Sequence, residues 1–178
     1  DKLSTTPARN QEFLLAAAEE LPLADEVATR VICTEVLEHV DDPAVVLAEL
    51  NRIAKPGALF LLTVPDALQE RMQQAVAPDS YFQKPNHIRI VERDEFPQMV
   101  RDAGLEVLDQ RSYGFFWSIW WSLFWAAEVD LERPQHPVLD HWTQAWTALL
   151  ETERGRELKQ QLASFLPKSQ VIVARKPG

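Results

Sequence analysis

The sequence predicts an α/β fold, a sheet with helices on both faces. Short β-branched or apolar runs (Val31–Cys33, Ala58–Val64, Gln170–Ala174) alternate with segments of helical periodicity such as Pro43–Ile53 and Arg93–Ala103. Proline and glycine mark the joins between them. The chain has 178 residues, enough for one domain with a sizeable core.

The first apolar run, Phe13–Ala18, suits a strand, although its Ala and Leu suit a helix equally. Leu21-Pro22 breaks it, since a residue before proline avoids the helical region. Val31-Ile32-Cys33 reads as a strand buried on both faces. A helical turn is expected over Glu35–Val40. Asp42 then caps a helix with Pro43 at its first position and Val46, Leu47, Leu50 and Ile53 on one face, ended by Lys55-Pro56-Gly57.

Ala58–Val64 is a second buried strand, stopped by Pro65. A helix over Arg93–Ala103 presents Phe96, Met99, Val100 and Ala103, and Gly104 follows its end. Leu105–Leu108 returns as a strand. Phe115–Ala127 and Asp140–Phe165 read as helices separated by the turn around Pro134 and Pro137, and Gln170–Ala174 closes the chain as a strand.

A net charge of −9 argues against a nucleic-acid surface, which needs clustered Lys and Arg. The single cysteine, Cys33, excludes an internal disulfide framework and a Cys-based zinc cluster, and its apolar surroundings favour a buried, inert thiol. The chain opens on Asp1 without a signal peptide and reads as a trimmed chain or a fragment. The longest apolar run, FFWSIWWSLFWAA, has 13 residues against the roughly 20 needed to span a bilayer. A cytoplasmic location follows, with peripheral membrane contact and oligomerisation left open.

LPLAD, EVLEHVDDP, LNRIAKPGALFLLTVP and HIRIVERDEFPQMVRDAGLEVL occur in an order and spacing that resembles the class I S-adenosylmethionine-dependent methyltransferases, in particular the ubiquinone O-methyltransferase-like branch. The resemblance covers Phe13–Arg111 and the terminal LPKSQVIVARKP. It implies a Rossmann-like fold with sheet order 3-2-1-4-5-7-6, in which Phe13–Ala18 is the third strand and the runs at Val31, Ala58, Leu105 and Gln170 are the fourth, fifth, sixth and seventh. Strands one and two have no counterpart. The first glycine is Gly57, so the glycine-rich cofactor loop is absent from this chain. Either another segment or a second chain completes the sheet, or the native protein is longer. On this reading, residues 1–178 are a single partial domain with a helical lid inserted at 113–165. Where S-adenosylmethionine binds, Ala18 and Glu19 would lie near its adenine and Thr34 near its methionine end.

Glu35, Glu38 and His39 form Glu-x-x-Glu-His. On a helix, three- and four-residue spacings put all three on one face. With His87 they resemble the ligand set of metal-dependent O-methyltransferases, in which a divalent cation stabilises the developing alkoxide of the acceptor. The alternatives are His87 as a general base without metal, with Glu38 and His39 completing the catalytic group, or a plain acceptor pocket. His136 and His141 read as surface residues.

Trp117, Trp120, Trp121 and Trp125 spread around most of one helix. They could be buried in a core or lid, cover a greasy acceptor through Trp117 and Trp121, or lie in a membrane interface. Packing against Trp142 and Trp146 of the following helix is expected.

The function this implies is methyl transfer from S-adenosylmethionine to an oxygen of a small apolar or lipid-like acceptor. A degenerate, non-catalytic binding domain stands beside it. RNA 2′-O-methylation matches the Glu-x-x-Glu-His pattern but is disfavoured by the acidic charge.

Overall fold

A computed structural model describes residues 12–178. Four strands form one sheet: β1 (Ala28–Thr34), β2 (Ala54–Pro65), β3 (Glu106–Tyr113) and β4 (Ser169–Arg175), in the order β1-β2-β4-β3. β1 and β2 run parallel, while β4 is antiparallel to both of its neighbours. This matches the 4-5-7-6 half of the expected order.

Between the strands lie α1 (Pro43–Ile53), α2 (Ala67–Gln74) and α3 (Glu95–Asp102). Three more helices, α4 (Phe115–Ala126), α5 (Pro137–Leu150) and α6 (Glu153–Phe165), fill the connection from β3 to β4. The expected single helix over Asp140–Phe165 is in fact two. The chain turns at Glu151-Thr152, and Thr152 caps α6 by accepting from the Gly155 amide at 3.0 Å.

Local chemistry accounts for α1 closely. Asp42 accepts from the Ala44 amide at 2.9 Å, Pro43 occupies the first turn, and Val46, Leu47, Leu50 and Ile53 are buried. Its far end is held by the Lys176 ammonium, which donates to the carbonyls of Asn51 and Ala54 at 3.0 and 2.9 Å. Lys55-Pro56-Gly57 lies inside β2 rather than acting as a stop, because Ala54 already pairs with Ala28.

The main core packs α1 and α3 on the sheet through Leu47, Ile53, Phe60, Leu62, Phe96, Val100 and Ile172. Phe124, Trp125 and Leu139 form a second cluster inside the helical insertion.

Two strand expectations are corrected. Phe13–Ala18 is not a strand: it is mostly exposed and makes only an isolated bridge between Ala17 and Glu20. Its apolar side chains meet no sheet edge in register, and apolar character alone does not hold an extended segment in place. β1 is buried on one face only, with Val31 and Cys33 inside and Ile32 71% exposed. No described strand pairs with its outer edge. The segment before β1 is instead tied to α1: Glu49 accepts from the Leu21 amide at 2.6 Å, and Arg52 bridges Glu49 and Asp25. Arg52 holds the Glu49 carboxyl down to about 2.

Candidate functional site

The carboxyl ends of β1 and β2 deliver the chemistry-bearing residues. After β1 the chain makes the expected turn over Glu35–Val40, closed by the His39 amide donating to the Val36 carbonyl at 3.0 Å, but no helix continues from it until α1. This changes what the Glu-x-x-Glu-His spacing means. Glu35 has φ of +54° and turns away from the others, accepting from Thr63 Oγ1 at 2.9 Å and pairing with Lys168 at 2.5 Å. Of the four expected residues, Glu38, His39 and His87 come together, each with one potential ligand atom within 4.8 Å of the others, while Glu35 lies outside the group.

His87 arrives on the loop before α3. That loop is pinned by the Ile88 amide donating to the Glu38 carbonyl at 2.9 Å and the His87 amide donating to the Tyr81 carbonyl at 3.1 Å. The two imidazoles meet edge to face with centroids 4.9 Å apart.

Their tautomers follow from their partners. His87 Nδ1 lies 2.7 Å from Glu70 Oε2, and His39 Nδ1 lies 3.2 Å from the Pro85 carbonyl oxygen. A carboxylate and a carbonyl only accept, so both Nδ1 atoms donate, and in the neutral rings both Nε2 atoms keep a lone pair. His39 Nε2 faces Glu38 Oε1 at 3.6 Å, and His87 Nε2 faces the Tyr81 hydroxyl at 3.5 Å.

Glu38 is 1% exposed, and among the described residues no group hydrogen-bonds either of its carboxylate oxygens. Burial first, and then the charge of Glu35, push its carboxyl up to about 7. Burial, with Glu38 adding to it, also raises the Cys33 thiol to about 11, in line with an inert buried cysteine. Desolvation raises the Tyr81 hydroxyl as well, so it stays protonated.

The raised Glu38 carboxyl has a stability consequence. The folded state holds this proton where the unfolded chain has released it, so stability falls as pH rises from about 4.5 to 7. The loss is about 3 kcal/mol over that window for the cation-free protein. Glu38→Gln removes this titration. Its denaturation midpoint should vary less across the window than that of the parent, as followed by urea unfolding at pH 5, 6 and 7.

Sequence reasoning missed Glu70. It lies on α2, which buries a polar face of Gln69, Glu70 and Gln73. From it a hydrogen-bonded chain runs outward: Gln73 Nε2 donates to Glu70 at 3.2 Å, and the Trp125 indole donates to Gln73 Oε1 at 2.7 Å. Trp125 belongs to α4, so the insertion is wired to His87 through buried groups. Asp66, the cap of α2, is buried and held by both Nε and Nη2 of Arg93, at 2.6 and 2.9 Å. That pairing fixes where Glu70 starts.

The residues expected to touch cofactor and acceptor fall into three separate cavities. Ala18 and Thr34 line one cleft of about 370 Å³ beside β1, together with Leu21, Ile32 and Val36, while Glu19 is exposed and does not line it. This cleft offers an apolar wall but no carboxylate for a ribose. The described residues thus fit S-adenosylmethionine only in part.

Trp121 joins Tyr81, Asn86 and Trp125 around a cavity of about 270 Å³ that Glu38, His39 and His87 do not line; Tyr81, packed on His87 at 4.5 Å, stands between them. Trp117 does not line it and instead faces another cavity, next to β3. As expected, the α4 helix packs on α5: Phe116 stacks on Trp142 at 5.8 Å, and the Trp142 indole donates to the Phe116 carbonyl at 3.0 Å. Among the described residues no helix is long and apolar enough to cross a membrane. His136 caps α5 by accepting from the Val138 amide, and His141 is exposed.

Comparison with known proteins decides the family. Residues 6–110 match the family model described as a methyltransferase domain. The chain belongs to the class I S-adenosylmethionine-dependent methyltransferases. Among curated relatives, this methyltransferase chain is 35% identical over 98 residues to the ubiquinone biosynthesis O-methyltransferase of Pseudomonas paraeruginosa, a match spanning 52% of the chain and 41% of that protein. To the corresponding enzyme of Methylococcus capsulatus it is 30% identical over 116 residues, spanning 62% and 48%. The matches thus span less than half the length of these two relatives.

Among solved structures, a methyltransferase of Haloferax volcanii in complex with the Trm112 methyltransferase activator superposes with a TM-score of 0.60 at 21% identity, covering 99% of this chain and 66% of that one. An S-adenosylmethionine-dependent methyltransferase of Mesorhizobium loti gives 0.56 at 13% identity, covering 97% and 73%. These likenesses establish the Rossmann-like fold.

Proposed function

We propose that the gene product containing this chain transfers a methyl group from S-adenosylmethionine to an oxygen of a small apolar acceptor. On this reading the acceptor hydroxyl is activated at Glu38, His39 and His87. The observation that carries the proposal is the pair of histidines with Nδ1 committed and an Nε2 lone pair directed inward, His39 toward the buried Glu38 carboxyl at 3.6 Å and His87 toward the Tyr81 hydroxyl at 3.5 Å. Tyr81, whose ring packs on His87 at 4.5 Å, separates this cluster from an apolar cavity that it lines with Trp121 and Trp125. The ubiquinone O-methyltransferase relatives support oxygen as the accepting atom.

S-adenosylmethionine, when bound, supplies a methyl group activated by its sulfonium. The chain's own residues handle the proton. His87 Nε2, once the acceptor hydroxyl replaces the Tyr81 hydroxyl there, would take the proton as the acceptor oxygen is methylated, and Glu70 would stabilise the resulting imidazolium through Nδ1. Tyr81, Trp121 and Trp125 exclude water around the attacking oxygen. The products are the methyl ether, S-adenosylhomocysteine and one proton.

A second reading is favoured by the same donor set. Two Nε2 lone pairs oriented by Nδ1 donation, with one carboxylate, fit a divalent cation that would acidify the acceptor hydroxyl. Titration of Mn²⁺ or Zn²⁺ into the protein, with His39→Ala as control, separates the readings. Cation binding lost in the variant supports the second, whereas methyl transfer that persists after chelation supports the first.

The 178-residue chain by itself should bind S-adenosylmethionine more weakly than the micromolar range, because it has only one apolar wall for it and no glycine-rich loop. Calorimetry at about −8 kcal/mol would contradict this.

A further inference from the structure

The largest cavity among those described, about 620 Å³, opens between the end of β3, the start of α4, α5 and α6. It is distinct from the cavity around Tyr81 and Trp121 and shares no lining residue with it. Its size lies in the range of small-molecule sites. Phe115, Phe116, Trp117 and Trp146 supply the walls, and Trp117 remains 47% exposed. One side of this indole packs on Phe116 and Trp120, and the half left exposed is what a ligand's apolar body would cover.

The charge of the lining is the second observation. The chain carries a net charge of −9, yet no acidic residue lines this cavity, and its two charged side chains are Arg111 and Lys159. Asp109 holds Arg111 through Nε at 2.6 Å, and among the described residues nothing hydrogen-bonds the guanidinium nitrogens at its tip. Lys159 has no ion-pair partner among the described residues. Two cations beside an aromatic wall, in an acidic protein, select for a negative charge on an apolar body.

We propose that this cavity binds a soluble amphipathic anion, an aliphatic or aromatic chain carrying a carboxylate or phosphate, with the chain against Trp117 and Trp146 and the acid at Arg111 and Lys159. This goes beyond the methyl-transfer reading and does not depend on it.

The test follows tryptophan fluorescence during titration with decanoate, decanol and decyltrimethylammonium, each below its micellar concentration. Decanoate should quench and bind on the order of tenfold more tightly than decanol, as a charge-assisted contact provides. Decyltrimethylammonium should bind least. Lys159→Glu and Arg111→Glu are surface changes whose folding is checked by circular dichroism. Each should abolish the advantage of decanoate while leaving decanol unchanged.

Equal affinity for the three probes overturns the proposal, as does a Lys159→Glu protein that binds decanoate like the parent. Binding to phosphatidylglycerol vesicles without binding to decanoate also overturns it, because that response needs a surface and not a cavity. His87→Ala should leave decanoate binding intact, so failure of the methyl-transfer reading and failure of this one are told apart.

Discussion

His87→Ala in the natural gene product should lower kcat for methyl transfer by about 100- to 10,000-fold, the range that general acid–base groups contribute. The affinity for S-adenosylmethionine should change little, because His87 lies beside Tyr81 and Glu70 and not in the cleft next to β1. Glu70 acts through His87, as a positioning residue. Glu70→Ala releases the Nδ1 proton from its acceptor at 2.7 Å and should lose a large part of the same factor. Glu70→Gln keeps an acceptor oxygen there and should recover part of it. A residue that merely supported the fold would not distinguish alanine from glutamine in kcat while leaving KM and thermal stability alike. Steady-state kinetics of the three variants decide the matter.

The second large effect lies in the insertion. Phe124 is fully buried and sits at the centre of the cluster with Trp125 and Leu139, with Trp120 and Trp121 packed around it. Phe124→Ala removes a ring from a closed site and should cost about 3–5 kcal/mol. Because this cluster is separate from the sheet core, the loss should be local. Hydrogen exchange should accelerate in α4 and α5, while amides of β2 and β4 keep their protection. Uniform acceleration would mean that the insertion and the sheet unfold as one unit.

The parts of the fold legible in the sequence share a physical signature. α1 announced itself by Asp42-Pro43 and a single apolar stripe, and each of those features is used in the structure. β2 and β4 were legible as short apolar runs because both lie inside the sheet, with neighbours on either edge. Phe13–Ala18 was equally apolar but has no such neighbours, and nothing local separates the two cases.

Candidate-site residues were legible only where spacing survived folding. Glu38, His39 and His87 do converge, whereas Glu35 leaves the group because its backbone takes a left-handed conformation that helical spacing does not anticipate. Glu70 was invisible for another reason. Hydrophobic periodicity finds apolar faces, and α2 buries glutamines and a glutamate. The one signal available was Asp66, a capping residue directly after the Pro65 that ends β2.

The measurement that bears most directly on methyl transfer at Glu38, His39 and His87 uses S-adenosylmethionine labelled in its methyl group. It is incubated with the natural gene product and a set of apolar phenols and catechols. Methyl transfer at this site puts label in an ether product that resists mild base, together with stoichiometric S-adenosylhomocysteine, and both are lost in His87→Ala. Label transferred at the parent rate by His87→Ala, or label found only on nitrogen or carbon, would contradict it.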